Sequence, residues 1–256
     1  MSAVETTAAD MAQCGGDTGE LATSALEFVN VRAGYGRTTV LRDVSFQVAP
    51  GQVVALIGPN GAGKTTVLRT ASGLVHPTSG RIRLDGADLT DRAPHQRAAR
   101  GLCLIPAGRG VFKSLSVREN LRLYRAGASS KSDDAVDRAM EVFPALRNRM
   151  STAAGHLSGG QQQMLSLARA YVTNPSLVLV DEVSMGLAPR VVDEMFAALR
   201  TLAASGTSML LVEQYVARAL SMADAVILLK KGAVTYTGPP SDLDEKSVLT
   251  GYLGVE

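Results

Sequence analysis

The stretch Val53-Val-Ala-Leu-Ile-Gly-Pro-Asn-Gly-Ala-Gly-Lys-Thr65 decides the fold. Residues 53–57 form a short, continuous apolar run that ends in glycine, as expected of a strand buried on both faces. Residues 58–65 then fit G-x-x-x-x-G-K-[ST], and a helix is expected from Lys64 to about Ser72. Glycines let such a loop curl until successive backbone N–H groups point inward at phosphate oxygens. The following helix adds its positive dipole end. The Lys64 ammonium can neutralise charge on β- and γ-phosphates, and the Thr65 hydroxyl can ligate Mg²⁺. Gly58, Pro59, Asn60, Gly61, Ala62, Gly63, Lys64, Thr65 and Thr66 are therefore candidate triphosphate-binding residues.

Outward from this loop, residues 101–105, 177–180, 209–212 and 225–229 are further buried-strand candidates. Helical patterns such as 191–204 separate several of them, which argues for crossover connections and a mainly parallel sheet in an α/β fold. Residues 26–31 and 44–48 alternate apolar and polar side chains like half-buried strands,. The middle of the chain reads differently. Ser116-x-x-Glu119 is a capping box opening a helix through about Tyr124, and 133–143 is amphipathic,. A helical lobe at approximately 108–172, inserted into one domain spanning 25–256, is the simplest account. Residues 1–24 lack hydrophobic periodicity and are expected to be a disordered tail.

The run at 177–180 ends in Asp181-Glu182. A buried strand brings such a pair out at the sheet's carboxyl edge, where ligands sit in open α/β folds. Asp181, with Thr65, is the candidate metal ligand; Glu182 is the candidate general base, polarising the attacking water. By itself the pair is weak evidence, and the phosphate loop strengthens it.

Composition removes other classes. The 26 basic and 24 acidic residues nearly cancel, so there is no electrostatic footprint for nucleic acid,. The two cysteines, Cys14 and Cys103, show neither metal-ligand spacing nor a disulfide framework, as befits a reducing cytoplasm,. No stretch approaches the roughly 18 consecutive apolar residues of a membrane span, and no Lys or Arg precedes Arg32, so a secretory signal is not expected,. A link to a membrane would run through a partner.

Leu157-Ser-Gly-Gly-Gln161 is a third motif. Ser158 and Gln161 form an S-x-x-Q capping box, so a second helix starts beside two glycines and offers a second anion site. The motif resembles the signature sequence of ABC ATPases. The resemblance covers nearly the whole chain from Leu26 onward and implies a P-loop NTPase (RecA-like) core with an antiparallel β part near the N-terminus and an inserted α-helical subdomain. It also implies ATP and Mg²⁺ as ligands. In that family the signature of one subunit faces the phosphate loop of the other, so Leu157, Ser158, Gly159, Gly160 and Gln161 are expected to meet ATP held by a second ATPase subunit, identical or different. Tyr35 falls where the family places an aromatic that stacks on adenine, with Val40 nearby.

Glu182-Val-Ser-Met-Gly-Leu-Ala-Pro189, Leu211-Val-Glu-Gln-Tyr215 and Gly251-Tyr-Leu-Gly254 look most like ATPase subunits of the branched-chain amino-acid uptake family. That resemblance implies two membrane-spanning permease subunits, an extracytoplasmic solute-binding protein acting indirectly, and a place on the cytoplasmic face of the cell membrane. Arg109, Phe112 and the helix after Ser116 are candidates for the permease-docking face. Three positions depart from the general ABC pattern. Gln214 occupies the switch position, usually His; it can donate a hydrogen bond to a γ-phosphate but carries no positive charge. Ala188 stands where many ABC proteins have Asp. Ala107 lies in a loop that normally presents Gln or Glu to the metal and attacking water, and losing one positioned polar group can cost roughly 10²–10³ in rate. Two readings stay open: an ATPase with a slowed site, or a catalytically weakened partner that completes a heteromeric dimer.

Overall fold

The computed structural model describes residues 24–108, 110–126 and 134–243. Most of the expected tail, Cys14, Arg109, Asp133 and the ending 251–254 lie outside the described residues.

β1 (Leu26–Tyr35) and β2 (Thr38–Val48) run well beyond the clean alternation at 26–31 and 44–48. They pair antiparallel, Leu26 opposite Val48 and Tyr35 opposite Thr38, with register shifts between Phe28 and Gly34. Each shift resets which side chain faces inward, so the periodicity fades although the pairing continues. β3 (Val53–Ile57) leads into α1 (Lys64–Ala71). β4 (Pro77–Leu84), β5 (Ala87–Asp88) and α2 (Pro94–Ala99) follow, none of them marked by sequence periodicity.

After β6 (Leu102–Ile105) come, among the described residues, four α-helices, α3 (Val117–Ala126), α4 (Asp134–Val142), α5 (Pro144–Arg147) and α6 (Gly159–Thr173), with a 3-10 turn at Ala154–His156 before the last. At the start of α3, Glu119 N donates to Ser116 Oγ at 3.2 Å and Ser116 N donates to Glu119 Oε2 at 2.8 Å, the expected capping box,. The chain then alternates through β7 (Leu177–Asp181), α7 (Pro189–Ala204), β8 (Ser208–Val212), α8 (Val216–Leu220), β9 (Ala225–Lys230) and β10 (Ala233–Gly238).

Two sheets result: a four-stranded antiparallel one, β2-β1-β4-β5, and a six-stranded one, β10-β9-β3-β8-β7-β6. The second is parallel except for β10 against β9. Its central strands are buried on both faces. Val53, Ala55, Ile57, Val178, Val180, Met209 and Leu211 pack with α6 and α7. Val54, Leu56, Leu177, Leu179, Leu210 and Val212 pack with β1, β2 and α1. This explains why these strands are continuously apolar. β8 sits between β3 and β7, so the loops leaving all three converge at one carboxyl edge,. Among the described residues no helix is long and apolar enough to cross a membrane.

Candidate active site

Gly58 follows β3 where a side chain has no room: a Cβ there would lie 2.1 Å from the Leu229 carbonyl oxygen. Gly63, at φ 108°, precedes α1, and no side chain caps that helix. The start of α1 thus presents a positive dipole end beside the loop. A methyl on Gly63 would stand 3.3 Å from Val40 Cγ1, which places Val40 on the flank of the loop. Tyr35 lies 46% exposed at the end of β1, its hydroxyl 3.5 Å from a guanidinium nitrogen of Arg69 on α1.

The Lys64 ammonium folds over the loop and donates to Gly58 O at 2.7 Å and Pro59 O at 3.1 Å. Burial lowers its pKa, an effect opposed by the negative charges of Glu182 and Asp181. Thr65, the second residue of α1, donates its hydroxyl to Asp181 Oδ1 at 3.1 Å across 116 residues of sequence. Asp181 is 4% exposed, and burial pushes its pKa up while the Thr65 hydrogen bond pulls it down. A hydroxyl and a carboxylate at this separation are hard oxygen donors of the kind Mg²⁺ takes. Among the described residues no group of three or more His, Cys, Asp or Glu side chains could hold a metal alone.

Glu182 follows directly, half-buried, at φ 45°, and its N–H donates to Val212 O on β8 at 2.8 Å. Gln214 leaves the end of β8 with an exposed side chain. Glu182 and Ala107 line one cavity of about 280 Å³ together with Gly108, Lys113, Gln163, Met185 and Leu187. The loop after β6 therefore does border the candidate base, with a methyl group where the family resemblance expects an amide or acid. Gln163 and the pair Ser184–Glu213 were not legible as site neighbours. Glu213 is 1% exposed, and Ser184 donates to it from both its backbone N and its hydroxyl.

The signature stretch closes a cap of its own. Gln161 N donates to Ser158 Oγ at 3.3 Å and Ser158 N donates to Gln161 Oε1 at 3.1 Å, closing the capping box at the start of α6. Gly160 backs onto α7, where a Cβ would meet Val191 Cγ1 at 2.9 Å.

Residues 41–185, more than half of the chain and including the phosphate loop, signature and acidic pair, match the sequence profile described as ABC transporter. The chain belongs to the ABC transporter family. The high-affinity branched-chain amino acid transport ATP-binding protein BraG of Pseudomonas aeruginosa is 38% identical over 234 residues, covering 90% of this chain and 99% of that protein. The probable branched-chain amino acid transport ATP-binding protein LivF of Archaeoglobus fulgidus is 36% identical, covering 86% and 94%. A Nod factor export ATP-binding protein I of Burkholderia orbicola is 34% identical, covering 89% and 75%. Among solved structures, an ATP-binding subunit of an ABC transporter superposes with a TM-score of 0.77 at 30% identity, covering 86% of this chain and 91% of that one. This ABC protein is thus the ATP-binding and ATP-hydrolysing subunit of a transporter.

Proposed function

We propose that this subunit binds MgATP at the junction of α1 and β7 and powers uptake of branched-chain amino acids or related small solutes. The observation that carries the reading of the site is the Thr65–Asp181 contact at 3.1 Å, which brings the phosphate loop and the acidic strand end together. Loop amides and Lys64 would hold the β- and γ-phosphates, with Tyr35 and Val40 against the adenine. Mg²⁺, held by Thr65 and Asp181, would neutralise charge across those phosphates. Glu182 accepts a proton from water as the water oxygen bonds to the terminal phosphorus and the bond to the ADP oxygen breaks. Gln214 donates to the γ-phosphate.

The signature at the start of α6 packs on α7 and would complete the site of a second ATPase subunit, so hydrolysis belongs to a head-to-tail dimer. One of two membrane-spanning permeases would dock on the groove formed by Leu74, Phe112 and Tyr124, a cavity of about 480 Å³ in which Leu74 and Phe112 are exposed, and the other on the second ATPase subunit. The subunit would then sit at the cytoplasmic face of the membrane, with residues 108–172 as its inserted helical subdomain and an extracytoplasmic protein choosing the solute. The relation to BraG and LivF supports branched-chain amino acid transport, and the inward direction rests on the motif resemblance to the uptake family; the relation to a Nod factor export protein supports the opposite direction, at lower identity.

The test is reconstitution with the co-purifying permeases. MgATP-dependent accumulation of leucine, isoleucine or valine is expected, and Lys64→Ala should abolish it. Accumulation of none of them by an ATP-hydrolysing complex would overturn the solute assignment. Ala107 beside Glu182 favours a second reading, a weakened partner in a heteromeric dimer. An unchanged hydrolysis rate after Lys64→Ala in this chain alone would select it.

A further inference from the structure

Two loops leave the carboxyl edge side by side: 182–188 after β7, which begins with Glu182, and 213–215 after β8, which carries Gln214. Glu213 ties them together. Its Oε1 accepts from Ser184 N at 3.2 Å, while its Oε2 accepts from Gln214 N at 3.3 Å and from the Ser184 hydroxyl in a short hydrogen bond. Three donors converge on two oxygens. An ionised carboxylate, which only accepts, satisfies all three; a glutamine amide would turn one oxygen into a donor facing either Ser184 N or Gln214 N.

We infer that Glu213 is a positioning residue for ATP hydrolysis, holding the backbone of Glu182 and Gln214 in register through Ser184 without touching the nucleotide. Glu182 has φ 45°, the left-handed region. A non-glycine residue stays there only when its surroundings over-determine it. Two anchors do so here: Glu182 N on Val212 O, and Ser184 on Glu213 two residues further along. At 1% exposure and fully engaged, Glu213 is not placed to act on water itself. Loosening the second anchor lets Glu182 drift, and a misplacement of about 1 Å can cost on the order of 10²-fold in rate.

The inference rests on the reading of Glu182 as the base, and the experiment separates the two. The full chain and its Ser184→Ala, Glu213→Gln, double and Glu182→Gln variants are compared by steady-state ATPase kinetics, binding of a fluorescent ATP analogue and thermal melting. Ser184→Ala is expected to lower kcat about tenfold and Glu213→Gln about 10²-fold, with KM and analogue affinity within about twofold of the parent. The double variant should be no slower than Glu213→Gln, because both act through one link. Ser184→Ala removes a single buried hydroxyl and decides the matter if Glu213→Gln fails to fold. Parental kcat in folded Ser184→Ala, or kcat and affinity falling together in step with the melting temperature, would overturn the positioning role. If Glu182→Gln left turnover intact, it is the base assignment that would fail.

Discussion

Two helices of this ATPase begin beside glycines, and they are finished differently. α1 starts after Gly63 with no side chain capping its amides, whereas α6 starts after Ser158, whose hydroxyl accepts from Gln161 N. Uncapped amides at a positive dipole end are donors left over for an anion. A capped start is stable with no ligand present. The phosphate loop thus leads into a helix start without a side-chain cap, while the signature opens a helix that caps itself.

The largest effect separates them by ligand. Lys64→Ala should weaken ATP binding to the full chain about 10²-fold, since each hydrogen bond from a charged group contributes roughly 1.5–3 kcal/mol. Ser158→Ala should leave binding to the same chain nearly unchanged, as measured by isothermal titration. Equal losses would erase the distinction between the two corners. Glycine replacement comes next. Gly63→Ala forces a left-handed alanine and should cost about 2–3 kcal/mol in urea denaturation. Gly160→Ala is helical, so the clash with Val191 is partly offset by better helix propensity, leaving about 1 kcal/mol.

Loss of the α6 cap in Ser158→Ala should cost about 1 kcal/mol by the same method. The smallest effect concerns the edge rather than the capped corner. Burial raises the Glu213 pKa above the ordinary 4.5, against the hydrogen bonds that oppose it. The protonated form is thus favoured by folding. The parent's stability relative to Glu213→Gln should fall as pH rises from about 4.5 through the folded value and then level off. A difference that grew with pH would contradict the raised value.

The sheet core and the phosphate loop were legible because their determinants are local. Five apolar residues, a glycine loop and Lys64-Thr65 lie within one short stretch, and Ser158 caps its helix from three residues away. The Asp181–Thr65 contact was anticipated only because the two motifs imply one ligand. What escaped has long-range causes. The outer half of the β1–β2 hairpin loses its alternation at the register shifts near Val31. Arg97, 1% exposed, was invisible as the residue donating to Thr70 O and Ala71 O at the end of α1. The left-handed backbone of Glu182 and the Ser184–Glu213 link depend on β7 and β8 being neighbours, which no local pattern states.

The most direct measurement is turnover and ATP binding by Glu182→Gln in the full chain. A carboxylate at the end of β7, next to the aspartate that accepts from Thr65, should account for the general base: turnover falling by about 10²–10⁴-fold with MgATP affinity unchanged is the result this site predicts,. Parental turnover, or loss of binding in place of loss of turnover, would contradict it.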